Sequence, residues 1–281
     1  MQMRLSLNHI VLVTVITAAS ATAQEIPYIV TYDHHMEEPH YLEVSLTPLV
    51  AAPKEGNRFA ATTIEFEFAP KAWWTSALYL DGQRTSHESS LYTGYRLENR
   101  FRLLMKEHAI NPVLYIEYSH TNGADKVLRE IVGFDSWEDL TAPNGEARLE
   151  KEREIETKLI LSRNQNGWNM STNFIAEKNL AGEPWEFGYA IGTSRPLALA
   201  ATPQECLFCR ENFSAGVEAY GGLGEQHERT LANTAHYIAP CLSWSLPTGL
   251  TLRVSPAFGL TSRSNKFLMR FGVSYEIPFI R

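Results

Sequence analysis

The first guide to this sequence is what it lacks. Nowhere do about 20 apolar residues run together, as a membrane-spanning helix requires, so a helical membrane bundle is excluded. Positive charge is scarce: 25 Lys+Arg stand against 32 Asp+Glu, a net charge of −7 with no basic block, and no nucleic-acid partner is expected. The Gly-x-Ser-x-Gly elbow of serine hydrolases does not occur. Aromatic residues, by contrast, are plentiful: 6 Trp, 12 Tyr and 13 Phe, which with the branched apolar residues exclude a disordered chain. A mean hydropathy of −0.22 sits oddly beside that supply.

Residues 1–23 read as a secretory signal peptide. Arg4 lies in a short n-region, an apolar stretch runs from Ile10 to Ile16, and Ala21-Thr22-Ala23 fits the small-x-small cleavage pattern. Gln24 is then the expected mature N-terminus, in an exported and disulfide-permissive setting.

From Tyr41 onward the chain alternates with period 2, and turn residues separate the segments. In Thr63-Ile64-Glu65-Phe66-Glu67-Phe68 the apolar side chains take one face and two carboxylates the other. Tyr95, Leu97, Phe101 and Leu103 alternate with Arg96, Glu98, Arg100 and Arg102, with Asn99 the one misfit. Phe267, Met269, Phe271, Val273, Tyr275, Ile277 and Phe279 form one unbroken apolar face. Such segments predict about twelve strands: 40–49, 60–69, 72–81, 90–104, 111–120, 152–163, 167–177, 184–193, 212–221, 233–244, 249–258 and 265–279. No helix-period stretch of comparable length interrupts them, although a short helix is expected within Ala124 to Trp137.

Alternation of this kind suits a soluble sandwich or a membrane barrel. Three features favour the barrel. The segments are long, as tilted membrane strands must be, against about 5 to 6 residues in an average soluble strand. Aromatics (Tyr41, Trp73, Trp74, Tyr118, Trp168, Trp185, Tyr220, Trp244) fall near predicted strand ends, where an interfacial girdle belongs. Mixed charges occupy strand midpoints, as on a lumen wall. With both termini periplasmic, the longest connection, His120 to Lys151, falls outside. Ser194 to Glu211 is nominally periplasmic and yet long. The fold expected is an all-β, antiparallel transmembrane β-barrel of about 12 strands. The signal peptide spans 1–23, an N-terminal periplasmic segment 24–39 and the barrel 40–281. The rivals are a soluble β-sandwich that binds a ligand and an outer-membrane hydrolase. Splitting each strand into two faces accounts for the hydropathy: aromatics and aliphatics are expected on one side and charges on the other.

Arg270-x-Gly272-x-x-Tyr275-x-Ile277, extended by Phe279, resembles the C-terminal signal by which Gram-negative outer-membrane barrels engage their assembly machinery. Arg281 departs from it, since such chains commonly end in Phe. In the order of its segments the mature chain is similar to a group of outer-membrane channels labelled as resembling a MetA-pathway-of-phenol-degradation component. The stretches that carry this are Tyr95-Arg96-Leu97-Glu98, Val113-Leu114-Tyr115-Ile116-Glu117-Tyr118 and Glu156-Thr157-Lys158-Leu159-Ile160-Leu161. The resemblance implies an outer-membrane location, lipid and the assembly machinery as partners, and transport of small, including aromatic, solutes.

If the apolar faces meet lipid, the lumen receives Glu43, Glu65, Glu67, Glu98, Glu117, Glu154, Glu156, Glu177, Glu186, Glu218 and Glu276. Arg96, Arg100, Arg102, Lys158, Arg253 and Arg270 share that face. Two readings stand: a salt-bridged plug that stabilises the wall, or a narrow pathway with mild cation preference. Asp33-His34-His35-Met36-Glu37-Glu38-Pro39-His40 has the donors for Zn²⁺ or Cu²⁺. It precedes the first strand, where mobile polar segments are common, and no metal site is assigned. Cys206-x-x-Cys209 lacks a partner CxxC for zinc and a following His for haem, so a disulfide is expected, with Cys241 a lone structural thiol. His236 has no placed Ser and acid beside it. Neither catalytic residues nor a cofactor are assigned.

Overall fold

A computed structural model describes residues 26–127, 130–200 and 206–278. The expected signal peptide and Phe279 of the assembly signal lie outside the described residues. Twelve strands follow in order: β1 Tyr41–Ala51, β2 Phe59–Lys71, β3 Trp74–Thr85, β4 Ser90–Arg102, β5 Asn111–Asn122 and β6 Lys151–Gln165. The second half comprises β7 Trp168–Asn179, β8 Trp185–Pro196, β9 Phe213–Glu225, β10 His236–Ser245, β11 Leu250–Gly259 and β12 Phe267–Pro278. Every strand pairs antiparallel with its neighbours and β12 closes on β1, so the sheet has no edge. Closure satisfies every strand's backbone groups without water, which a hydrocarbon surround requires. The soluble sandwich is thereby replaced by a barrel.

Alternation sets the two faces. At the closing seam Leu46 pairs with Val273, both facing out, while Ser45 pairs with Ser274, both buried inside. Large apolar side chains are exposed on the outer face of every strand except β9, among them Ile64, Leu78, Leu97, Phe174, Ile191 and Phe271. A surface this apolar far exceeds the patches that water-soluble proteins tolerate. It is suited to lipid. The misfit Asn99 is also on this face, where it accepts a hydrogen bond from the Trp74 indole at 2.9 Å, near the stacked Trp73, Trp74 and Phe101 rings.

One reading of local structure is corrected. The described part of Ala124 to Trp137 forms turns and bends rather than a helix; a single turn, α1 Asn144–Ala147, follows Pro143 instead. Strand alternation slips within β4, where an extra residue opposite Asp81 and Gly82 of β3 leaves both Thr93 and Gly94 on the buried side. Hereafter the mouth holding Tyr41 and Pro278 is the terminal end, and the opposite mouth is the loop end.

Candidate functional site: the occupied lumen

The lumen is occupied. Residues 26–39, expected ahead of the barrel as a periplasmic segment, rise into it from the terminal end and return to Pro39, which bridges Ala69 of β2. Their anchor is Glu218 of β9, fully buried, whose carboxylate accepts three consecutive backbone N–H groups: Ile29 at 3.2 Å, Val30 at 2.9 Å and Thr31 at 2.7 Å. Tyr28 reaches Asn169 of β7, the Tyr32 amide donates to Asn173 at 2.7 Å, and the Tyr32 hydroxyl donates to Glu98 at 3.1 Å. A chain segment inside a membrane barrel must find partners for its backbone, and here wall side chains supply them.

The loop end is narrowed by the long connection 123–150, which folds inward. Ile131 and Val132 are buried, Gly133 bridges Gly224, and Glu130 reaches Lys158 of β6 at 2.6 Å. Gly188 and Gly222 of the wall make this approach possible, since a Cβ there would stand 2.4 Å from the Ile131 carbonyl and 2.3 Å from that of Gly133. Lys126 is buried in the same connection, and its ammonium is pushed below the usual lysine range by desolvation.

Between these two intrusions the wall carries paired charge. Arg96 meets Asp81 at 2.8 Å and Glu117 at 3.5 Å. Arg100 meets Glu98 at 2.7 Å and also Glu67. Lys158 meets Glu156 at 2.9 Å as well as Glu130, and Arg270 donates to the Tyr220 hydroxyl. Glu65 accepts from Ser45 at 2.9 Å. Arg253 donates to the Ile26 carbonyl, tying the start of the segment to β11. Arg102 lies toward the terminal mouth, 3.5 Å from Glu107, and Glu186 is half-buried at the loop mouth beside Gly133.

Register adds what single strands cannot reveal. Glu276 pairs with Glu43, and Glu43 with Glu67; after Ala77 the row resumes as Glu98, Glu117, Glu156, Glu177, Glu186 and Glu225, each opposite the next. Directly opposed like charges destabilise a sheet. Because the strands are staggered, this row climbs from Glu276 at the terminal end to Glu225 at the loop end. Arg96, Arg100 and Lys158 compensate its middle, while no ion pair among the described residues involves Glu43, Glu276, Glu177, Glu186 or Glu225. A cavity of about 160 Å³ remains beside the segment, lined by Glu43, Ser45, Glu65, Glu67, Arg100 and Arg253.

Several residues escaped the sequence reading. Asp81, fully buried, holds Arg96. Tyr79, Tyr115, Tyr220 and Tyr237 are all buried in the lumen, so the expectation that aromatics gather on the lipid side, Tyr220 included, is corrected. Their hydroxyls are spent internally, with Tyr79 donating to Glu98 and Tyr115 to Glu117. Cys206 and Cys209 are bonded to each other in the 197–212 connection at the terminal end, and Cys241 is a buried free thiol. The His236 ring contacts the hydroxyls of Thr234 and Tyr189 and the Leu231 carbonyl. Gly272 faces the lumen between the exposed Phe271 and Val273, and Tyr275 and Ile277 point outward.

A closed twelve-strand barrel with an apolar exterior and a charged interior defines the class of outer-membrane β-barrels. Among solved structures, the chain is similar to the COG4313 outer membrane channel from Pseudomonas putida F1, with TM-score 0.53 and 9% identity over 87% of this chain and 98% of that one. It also aligns with the NanC porin (TM-score 0.49, 10% identity, 84% of this chain and 100% of the other) and with a KdgM porin in complex with disordered oligogalacturonate (TM-score 0.45, 8% identity, 84% and 98%). At 9% identity, what is shared with the COG4313 channel is the fold. No family model matches the chain, and no curated protein sequence does.

Proposed function

We propose that the protein is a channel of the Gram-negative outer membrane for small cationic solutes, held nearly closed by its own N-terminal segment. The observation that carries this reading is the row of glutamates from one mouth to the other, without an ion pair among the described residues toward either end. Charge rings of one sign set selectivity in pores, and a protein that only needed a stable wall would gain by removing opposed carboxylates. The cavity beside the segment fits an ion with part of its water shell. The fold shared with an outer-membrane channel supports the location and the transport role.

Similarity to the MetA-pathway-like channel group adds the same transport role to this reading. Its aromatic solutes find no support in the lumen, because Tyr79, Tyr115, Tyr220 and Tyr237 are buried and offer no free ring face. Planar-bilayer recording in a salt gradient tests the proposal. Small, cation-selective conductance is expected, its selectivity falling when Glu43 and Glu67 are replaced by Gln. An anion-selective current or none at all would overturn it.

A further inference from the structure

The lumen segment carries a group of donors that the channel reading does not use. His34 and His35 are adjacent, their ring centres 4.4 Å apart, and they lie near the terminal mouth. Each ring has its Nδ1 engaged: His34 Nδ1 with the Ser162 hydroxyl, and His35 Nδ1 with the Asp33 carboxylate. Both Nε2 atoms have the Asn164 side chain as a common neighbour. The Asn164 side-chain nitrogen lies 3.5 Å from His34 Nε2 and 3.4 Å from His35 Nε2, and a Glu107 carboxylate oxygen lies 3.0 Å from His34 Nε2. Asn169 fixes this arrangement by donating to Asn164 Oδ1 at 2.8 Å and to Asp33 at 3.0 Å.

Two adjacent imidazoles, each oriented by an acceptor on its Nδ1 and one of them with a carboxylate beside its Nε2, are the parts of a transition-metal site. A carboxylate behind a ligating histidine fixes its tautomer and raises its basicity, and Asp33 has that position behind His35. One donor atom each from Asp33, His34 and His35 already fall within 4.8 Å of one another. Access is open from the terminal side, since the side chains of His35 and Glu107 are each 51% exposed whereas that of His34 is 1% exposed.

We propose that His34 Nε2, His35 Nε2 and the Glu107 carboxylate bind one borderline divalent cation of the Zn²⁺, Ni²⁺ or Cu²⁺ class, with Asp33 and Ser162 orienting the two histidines. Imidazole-rich sites prefer these ions over Mg²⁺ or Ca²⁺. His34 and His35 belong to the lumen segment and Glu107 to the β4–β5 connection, so the ion fastens the segment to the wall. Binding stands independently of conduction; only its effect on current rests on the channel reading.

The test is calorimetric titration of chelator-treated, tag-free full-length barrel in detergent with ZnCl₂ and NiCl₂, and with MgCl₂ as control. One saturable site for Zn²⁺ and Ni²⁺ and none for Mg²⁺ is expected. His35→Ala should weaken Zn²⁺ at least about 100-fold, and Asp33→Asn roughly 10- to 100-fold. His40→Ala, outside the cluster, should leave affinity unchanged. Heat-modifiable gel mobility confirms that each variant has formed its barrel, and the half-exposed His35 makes His35→Gln a second variant compatible with folding. Zn²⁺ should also slow proteolysis within residues 26–39 in wild type but not in His35→Ala. Absence of saturable Zn²⁺ binding, or binding that persists unchanged in folded His35→Ala and His35→Gln, would overturn the proposal. Neither result bears on whether the barrel conducts.

Discussion

The strand β12 and the lumen segment 26–39 are held by opposite means. In β12 the information is local: Phe271, Val273, Tyr275 and Ile277 face outward and Arg270, Gly272 and Ser274 inward, in strict alternation that neighbouring strands share. The segment has no regular secondary structure over most of its length. Its conformation comes from partners far along the chain, including Glu218, Asn173 and Ser162. A barrel wall can therefore be written residue by residue, whereas its filling depends on which strands come to surround it.

That contrast can be broken most severely on the wall. Phe271→Arg or Val273→Arg places a charge in lipid and should cost roughly 2–4 kcal/mol of folded barrel near the midplane. Urea unfolding in vesicles, read by heat-modifiable mobility, measures this. Gly272→Arg should act through the lumen instead, because a Cβ there already stands 3.2 Å from Arg253 Cβ. Normal assembly of Phe271→Arg would mean the faces are misassigned.

Next in size is the segment's anchor. Glu218→Ala removes a charged acceptor from three backbone amides, two of them buried, and should loosen the segment by about 1.5–3 kcal/mol, leaving the wall intact. Protease sensitivity within residues 26–39 should rise at least about tenfold with unchanged gel mobility. Equal resistance in the variant would show that the segment is not held there.

A smaller effect is expected in the 123–150 connection. Burial, then the nearby Asp81 carboxylate, push Asp125 up to about 6, against hydrogen bonding from Thr93. With its folded value raised, the group stabilises the closed connection fully below its ordinary range near 4. That contribution is lost as pH rises through about 6. Proteolysis of the connection should accelerate between pH 5 and pH 7, values chosen to bracket that titration. The acceleration should disappear in Asp125→Asn, and a pH-independent wild type would contradict the assignment.

Much of the wall could be read from sequence for the reason β12 illustrates: period-2 alternation is a local property and marks both the strand and its faces. Reading ran short where something non-local intervened. Asp81 falls at the end of the predicted strand 72–81 because the polar run Asp81-Gly82-Gln83 reads as a turn, whereas β3 continues in strict alternation to Thr85. Tyr79 and Tyr115 are aromatic and were expected in lipid, yet their hydroxyls pair with Glu98 and Glu117 inside. All the glutamates of the row except Glu225, which lies beyond the predicted strand 212–221, are identifiable in the sequence, but their succession around the wall follows from register, which alternation within one strand does not fix. Three histidines and three carboxylates within residues 33–40 were visible as donors; only the fold brings Glu107, Ser162 and Asn164 to them.

The central claim is a cation pathway along the glutamate row, obstructed by residues 26–39. Its most direct test is the reversal potential and conductance of the full-length barrel beside a variant lacking residues 27–38, in planar bilayers under a KCl gradient. The account predicts small cation-selective currents for the full-length protein and larger currents of the same selectivity for the variant. Anion selectivity, or a variant that inserts as a folded barrel and still fails to conduct, would contradict it.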